Sequence, residues 1–120
     1  MVRLKSATDF ERVRRDGRSH AHPLVVLIAR RADLEPGQPE GTAAPTRVGF
    51  VAGKSVGTAV DRNRAKRLLR EAMRACAGRL AAGWDVVLIA RRPLAGSKLA
   101  ETRAALEQLL RRAKMLVHET

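Results

Sequence analysis

The pattern of apolar and polar residues along this chain predicts a mixture of helices and strands. Continuous apolar runs at 24–29 and 85–90 are typical of buried strands, and the alternation over 47–53 predicts another. Residues 18–22 predict a further short strand. Helical patterns precede, interrupt and follow these strands, so the order is that of an α/β (α+β) two-layer sandwich, with helices packed on one sheet.

Capping residues predict where the first two helices begin. Ser6 and Asp9 resemble a capping box for a first helix, which we expect to stop at Gly17. Thr58, with Asp61 three positions later, predicts a second helix that begins directly after Thr58 and ends between residues 78 and 83.

Ser97 is predicted to be the N-cap of the third helix. Segment 32–45 contains three prolines and two glycines, which predicts a surface loop. No segment is long enough to act as a linker, so we expect a single domain over residues 1–120. The apolar stripe of the third helix comprises Leu99, Thr102, Leu106, Leu109, Leu110, Ala113 and Val117.

Helical geometry divides the second helix into two opposite faces. At about 100° per residue, its apolar face comprises Ala65, Leu68, Leu69, Ala72, Met73, Cys76 and Leu80. The opposite face comprises Asn63, Arg64, Lys66, Arg67, Arg70 and Arg74. Arg62 projects near the apolar stripe, but it lies in the first turn, where it can reach solvent.

Cations recur on this helix at 62, 66, 70 and 74, so like charges repeat every four residues. Each such pair destabilises an isolated helix by about 0.2–0.5 kcal/mol. Exposed helices usually alternate charges instead, so we predict that this face binds a polyanion. Lys54, Arg91 and Arg92 follow two predicted strands and are expected to extend the same surface.

The composition of the whole chain favours the same kind of partner. It has 24 Lys and Arg against 12 Asp and Glu, a net charge of +12, and 19 of its cations are arginine. Arginine binds phosphate through two parallel hydrogen bonds, which favours nucleic acid. Only three aromatic residues are available for stacking on bases, so phosphate contacts or a shaped RNA surface must supply most of the affinity.

Several other classes of protein are disfavoured. A single cysteine excludes an internal disulfide, and no apolar run is long enough to span a bilayer. We therefore expect a cytoplasmic protein with no membrane partner. The segment Gly53-Lys54-Ser55 lacks the earlier glycine of a phosphate-binding loop, because residue 48 is valine, so no nucleotide cofactor is expected.

No group of residues predicts a catalytic site in the protein itself. Neither a nucleophile–base pair nor a carboxylate pair is evident, and the histidines have no third metal ligand at a useful spacing. We therefore expect no catalytic residue, and the sequence assigns no protein ligand to a metal.

Three segments together resemble one family. Residues 47–73, RVGFVAGKSVGTAVDRNRAKRLLREAM, resemble the signature of the bacterial ribonuclease P protein subunit, centred on Arg62, Asn63 and Arg64. The start, LKSATDFERVRRDG, resembles the first helix of that family, with its Asp-Phe pair. Residues 85–93, DVVLIARRP, resemble its last strand. The similarity extends over about residues 4–112, the expected core of the domain.

This resemblance implies a fold and a function. The fold is α-β-β-β-α-β-α, similar to a domain of ribosomal proteins, with a left-handed β-α-β crossover that carries the Arg-Asn-Arg motif. The function is that of the protein subunit of ribonuclease P, a ribonucleoprotein endonuclease of tRNA processing that removes the 5′ leader of precursor tRNA. Catalysis would belong to the RNA subunit and its Mg²⁺ ions, while the protein would bind the ribonuclease P RNA and the leader.

Residue roles follow from the resemblance and from the cationic face. The residues implied to contact the RNA subunit are Lys54, Arg62, Asn63, Arg64, Lys66, Arg67 and Arg70, and the cationic face adds Arg74. The resemblance implies that the sheet face lines the leader cleft, and the candidate residues for this cleft are Phe10, Val13, Arg14, Arg91 and Arg92. Arg14 stands where the family often has a second aromatic residue, which favours phosphate attraction over stacking. Ser55 stands where a second lysine is common.

The residues alone leave two other classes of nucleic-acid-binding protein possible. A structural RNA-binding protein associated with the ribosome would share the fold and the charge, and only the detail of the motif opposes it. A protein that binds double-stranded DNA would place the basic helix in a major groove, but no helix-turn-helix spacing supports it.

Overall fold

The computed structural model describes residues 1–32 and 44–117, and the predicted loop 32–45 lies mostly outside them. Helices and strands alternate in the predicted way within these ranges. The elements are β1 (Val2–Arg3), α1 (Ala7–Asp16), β2 (Arg18–Ala21), β3 (Val25–Arg31), β4 (Arg47–Val51), α2 (Ala59–Cys76), β5 (Trp84–Ala90) and α3 (Leu99–Arg112). Short 3₁₀ turns lie at Lys54–Val56, Ala77–Arg79 and Arg92–Gly96. The mixed α+β architecture is confirmed.

The described strands form one sheet in the order β1-β4-β5-β3-β2. Strands β4 and β5 are parallel and are connected through α2, so the expected β-α-β crossover is present, while its hand stays a prediction. Strand β1, which the sequence did not predict, pairs with β4 at the edge of the sheet. Because β4 and β5 run in the same direction, the turns that follow them meet at one end of the sheet, where α2 begins.

Apolar side chains pack on both faces of the sheet. Helices α2 and α3 cover one face over a large core that includes Val48, Val86 and Leu88. Helix α1 covers part of the second face over a small cluster that includes Val13 and Val87. Since α1 is short, it leaves some of the second face without a helix.

The capping box predicted at Ser6 and the N-cap predicted at Ser97 are wrong, although Ser6 does occupy the N-cap position of α1. The Ser6 side chain makes no capping hydrogen bond to α1, and the Asp9 carboxylate accepts from Arg47. Helix α3 begins one residue later than predicted, with Lys98 at its N-cap. The Ser97 hydroxyl lies 2.7 Å from the carbonyl oxygen of Leu94 and 2.9 Å from the Thr102 hydroxyl, so it closes the preceding turn.

The stripe predicted for α3 is correct in its middle and wrong at its ends. Thr102, Leu106, Leu109 and Leu110 are buried. Leu99 is 37% exposed in the first turn, and Val117, 48% exposed, lies beyond the end of the helix. No helix in the described ranges is long and apolar enough to cross a membrane.

Candidate nucleic-acid interface

The start of α2 is fixed by the predicted capping box. The Thr58 hydroxyl accepts a hydrogen bond from the Asp61 backbone N–H at 3.2 Å, and the Asp61 carboxylate accepts one from the Thr58 N–H at 3.0 Å. Gly57 precedes the cap with a φ of 140°, and a Cβ at this position would overlap with the Asp61 carboxylate. A glycine is therefore required where the chain enters the helix.

Helix α2 packs with the predicted orientation. Ala65, Leu68, Leu69, Ala72, Met73 and Cys76 are all buried against the sheet and α3. Burial also raises the pKa of the Cys76 thiol, which fits a core residue rather than a reactive one. Leu80, predicted at the end of the same face, lies after the helix and is half-buried.

The opposite face of α2 presents cations to solvent. Asn63, Arg64, Arg67 and Arg74 are exposed, while Arg62, Lys66 and Arg70 are half-buried. Within residues 1–32 and 44–117, no cation of α2 forms an ion pair; the ion pairs there involve Arg12, Arg15, Arg30, Arg47 and Arg79. The positive charge of this face is therefore not neutralised by acidic side chains in the described part of the chain.

Arg64 has a structural contact as well as an exposed position. Its Nε donates to the carbonyl oxygen of Ala95 at 2.7 Å, and its Nη2 approaches that of Ser97 at 3.5 Å. These bonds tie α2 to the turn that precedes α3. The second arginine of the Arg-Asn-Arg motif thus fixes the helix against its neighbour.

Two other arginines on α2 carry unsatisfied donors. The Nε atoms of Arg62 and Arg70 are buried and have no hydrogen-bond partner among the described residues. A buried donor without an acceptor costs about 1–3 kcal/mol. An acceptor such as a phosphate oxygen, reached by a small movement of either side chain, would remove this cost.

Cations also gather at the end of the sheet where α2 begins. The turn at Lys54–Val56 contacts the turn at Arg92–Gly96, and the latter also contacts α2. Lys54, Arg91 and Arg92 are exposed there, and Arg91 is held by its backbone N–H, 2.9 Å from the carbonyl oxygen of Leu24. The predicted continuity between these cations and the basic helix is present.

A row of half-buried apolar side chains lies on the second face of the sheet. Val26 pairs with Ile89, and Ile89 pairs with Val51, so the three residues stand side by side on neighbouring strands. The adjacent row, Ile28, Val87 and Gly49, lies beneath α1. The first row therefore forms the floor of an open groove beside α1. The resemblance implied that the sheet face lines the cleft, but it did not identify these residues, because their alignment depends on strand register.

Phe10 forms part of the wall of this groove, and Gly49 allows it to do so. A Cβ at Gly49 would overlap with the Phe10 ring, so the ring lies directly on the backbone of β4. Arg14, one turn further along α1, lines the same surface pocket as Phe10 and is exposed. Val13, also predicted for the cleft, is only 1% exposed, so it supports α1 from beneath and is not available to a ligand.

A partly buried ionic network connects α1 to the sheet. Arg47 on β4 binds both carboxylate oxygens of Asp85 on β5, at 2.9 and 2.8 Å, and its Nη1 reaches Asp9 of α1 at 3.2 Å. The Asp85 hydrogen bond is the main cause that raises the pKa of Arg47. This network sets the position of the helix that carries Phe10 and Arg14.

The described residues do not build a metal centre. No three His, Cys, Asp or Glu side chains in this part of the chain lie close enough together to hold a metal ion. The candidate interface consists of the cationic face of α2, the cationic end of the sheet and the apolar groove on the second face of the sheet.

Comparison with known proteins gives one consistent family. A family model described as Ribonuclease P matches residues 1–114. A ribonuclease P protein component from Symbiobacterium thermophilum is 43% identical over 117 residues, covering 98% of this chain and 95% of that protein. Another from Herpetosiphon aurantiacus is 40% identical over 113 residues, covering 94% and 85% of the two chains.

Solved structures agree in fold as well as in sequence. The Staphylococcus aureus RNase P protein superposes with a TM-score of 0.78 at 27% identity, covering 97% of this chain and 98% of that one. The Thermotoga maritima RNase P protein gives a TM-score of 0.75 at 28% identity, with 93% and 97% coverage.

Proposed function

Since the chain belongs to the ribonuclease P protein family, we propose that its α2 face binds the catalytic RNA and its open groove holds the 5′ leader of precursor tRNA. The protein is a subunit of the endoribonuclease ribonuclease P, a ribonucleoprotein of tRNA processing. It acts in the cytoplasm, where precursor tRNA is processed.

The observation that carries the first part is the cationic face of α2, which has no ion pairs to the described residues. RNA phosphates supply the missing negative charge, and they also supply acceptors for the unsatisfied Nε atoms of Arg62 and Arg70. Arg67 and Arg74 are exposed and contact phosphates directly. Arg64 keeps α2 and the turn before α3 in one fixed arrangement.

The groove on the second face fits a single strand of RNA. Its apolar floor of Val26, Ile89 and Val51 accepts bases, and the Phe10 ring offers a surface for stacking. Arg14 on one side, with Arg91 and Arg92 at the end of β5, attracts the phosphates. The leader is single-stranded, so its bases are free to meet the apolar floor.

The chemical step belongs to the RNA subunit. No three His, Cys, Asp or Glu side chains of the described residues lie together, so these residues do not form a cage for Mg²⁺ by themselves. We assign Mg²⁺ to RNA phosphates, whose hard oxygen atoms are the ligands that this ion prefers. The protein contributes binding and positioning of both RNAs.

Cleavage by a reconstituted holoenzyme tests this function. The protein is mixed with a bacterial ribonuclease P RNA and a precursor tRNA at low Mg²⁺, where the RNA alone is slow. We expect cleavage at the 5′ end of the mature tRNA to rise well above the rate of RNA alone, and no cleavage by protein alone. Binding of the RNA without any stimulation would instead indicate a structural RNA-binding protein.

A further inference from the structure

A small pocket lies between strand β1 and the second half of α2, next to the cationic face. Its lining includes Val2 and Arg3 from β1, Phe50 from β4, and Arg70 and Arg74 from α2. Phe50 is half-buried and packs against the main core with one part of its ring. Val2 is 45% exposed although it is apolar. The pocket thus has an apolar floor that opens to solvent.

The charges around this pocket are of one sign. Its described lining contains three arginines and no acidic residue. Arg70 is also one of the two arginines whose buried Nε has no acceptor among the described residues. An apolar floor with an aromatic ring, surrounded by guanidinium groups, is complementary to a nucleobase with its flanking phosphates.

We propose that this pocket binds one unstacked base of the RNA subunit, with the ring of Phe50 against the base and the phosphates on Arg70 and Arg74. The proposal rests on the proposed function, because Arg70 and Arg74 belong to the α2 face assigned to that RNA. The pocket is continuous with this face and opens on the opposite side of the sheet from the groove assigned to the leader. The RNA subunit, rather than the precursor, is therefore the partner in reach.

Stacking contacts and phosphate contacts respond differently to salt. The salt dependence of binding therefore distinguishes the contribution of this pocket from that of the rest of the α2 face. Phosphate contacts release counterions, so each one removed flattens the slope of log affinity against log salt by roughly 0.7–0.9. Loss of a stacked base weakens binding by about the same factor at every salt concentration, roughly 5- to 100-fold for a full stack.

The first test measures the affinity of the full chain for the RNA subunit over a range of NaCl concentrations. We expect Phe50→Leu to weaken binding at least 5-fold at every concentration with an unchanged slope. Arg70→Gln is expected to flatten the slope. If Phe50→Leu unfolds at the same temperature as the wild type and also binds the RNA with wild-type affinity, the proposal that the pocket binds a base is overturned.

A second test avoids the core, in case Phe50→Leu unfolds. Val2→Glu places a carboxylate at the mouth of the pocket, and Val117→Glu makes the same change at a residue of similar exposure that does not line it. We expect Val2→Glu to weaken RNA binding several-fold more than Val117→Glu. Equal effects from the two variants would mean that only net charge matters, and would overturn the proposal.

A third measurement reports the stack directly. Phe50→Trp combined with Trp84→Phe leaves one tryptophan in the chain, in the pocket. Stacking on a base is expected to quench its emission when the RNA subunit is added; unchanged emission at saturating RNA contradicts the pocket. If the wild-type protein itself fails to bind the RNA, the proposed function is wrong. If the wild-type protein binds in a salt-dependent way but substitutions of Phe50 and Val2 leave the affinity unchanged, only the base pocket is wrong.

Discussion

Gly49 shows how much of the groove depends on one missing side chain. The Phe10 ring lies where a Cβ of residue 49 would stand, so α1 can approach β4 closely. The same approach brings Asp9 within 3.2 Å of Arg47. A single glycine therefore permits both the aromatic wall of the groove and the ionic contact beside it.

Gly49→Ala is expected to displace Phe10 and to lower the free energy of unfolding by about 1–3 kcal/mol, the usual cost of overpacking. Because the groove wall moves, binding of precursor tRNA to the holoenzyme is expected to weaken more than binding of mature tRNA. Gly78→Ala is the control, since a Cβ there meets nothing within 4 Å. Equal weakening for both tRNAs would show that Phe10 serves only the core.

At the scale of the elements, the two predicted capping boxes had opposite outcomes for one physical reason. Thr58 is exposed, and no ion pair among the described residues engages Asp61, so both residues form their local hydrogen bonds. Asp9 faces a sheet that presents Arg47, and the ion pair removes it from the cap. Local sequence therefore predicts a helix start well only where tertiary contacts do not compete.

The same distinction explains what the sequence could and could not predict about the interface. The cationic face of α2 follows from its 3.6-residue periodicity, and the structure confirms its orientation. The row of Val26, Ile89 and Val51 depends on the register of three strands, which no local pattern contains. Strand β1 has two residues, too few to produce any period.

The connection between α1 and the sheet is testable through Arg47. Arg47→Met leaves the carboxylate of Asp85, 3% exposed, without its partner, and such a loss costs about 3–5 kcal/mol of stability. Arg15→Met is the control, because its pair with Asp16 is exposed and contributes little. Urea unfolding measures both variants. A loss for Arg47→Met no larger than that for Arg15→Met would mean that water already reaches Asp85.

At the scale of the whole molecule, part of the positive charge is gathered on and beside α2, and the other cations are spread over the rest of the chain. The net charge of +12 includes six cations on α2 and three more at the end of the sheet where this helix begins. Binding to RNA is therefore expected to fall steeply as salt is raised, because each phosphate contact releases counterions.

Arg67→Ala is expected to flatten the slope of log affinity against log salt by roughly 0.7–0.9 for the RNA subunit, because one phosphate contact is lost. Arg103→Ala removes the same charge from the exposed side of α3, outside the proposed interface, and is expected to leave the slope unchanged. Filter-binding measurements over a range of NaCl concentrations compare them. Identical slopes for Arg67→Ala and the wild type would show that Arg67 does not contact the RNA backbone.

The hydrogen-bonded pairing of β4 with β5 has a consequence for substrate choice. One strand pair supports α2 on one side and the groove proposed for the leader on the other, so the separation of the two proposed sites is set by the sheet and the α2 layer together. That spacing cannot adjust to the sequence or length of a leader without breaking the strand pair. If the proposed function holds, every precursor meets the same fixed offset between its leader and the catalytic RNA, whatever bases it carries.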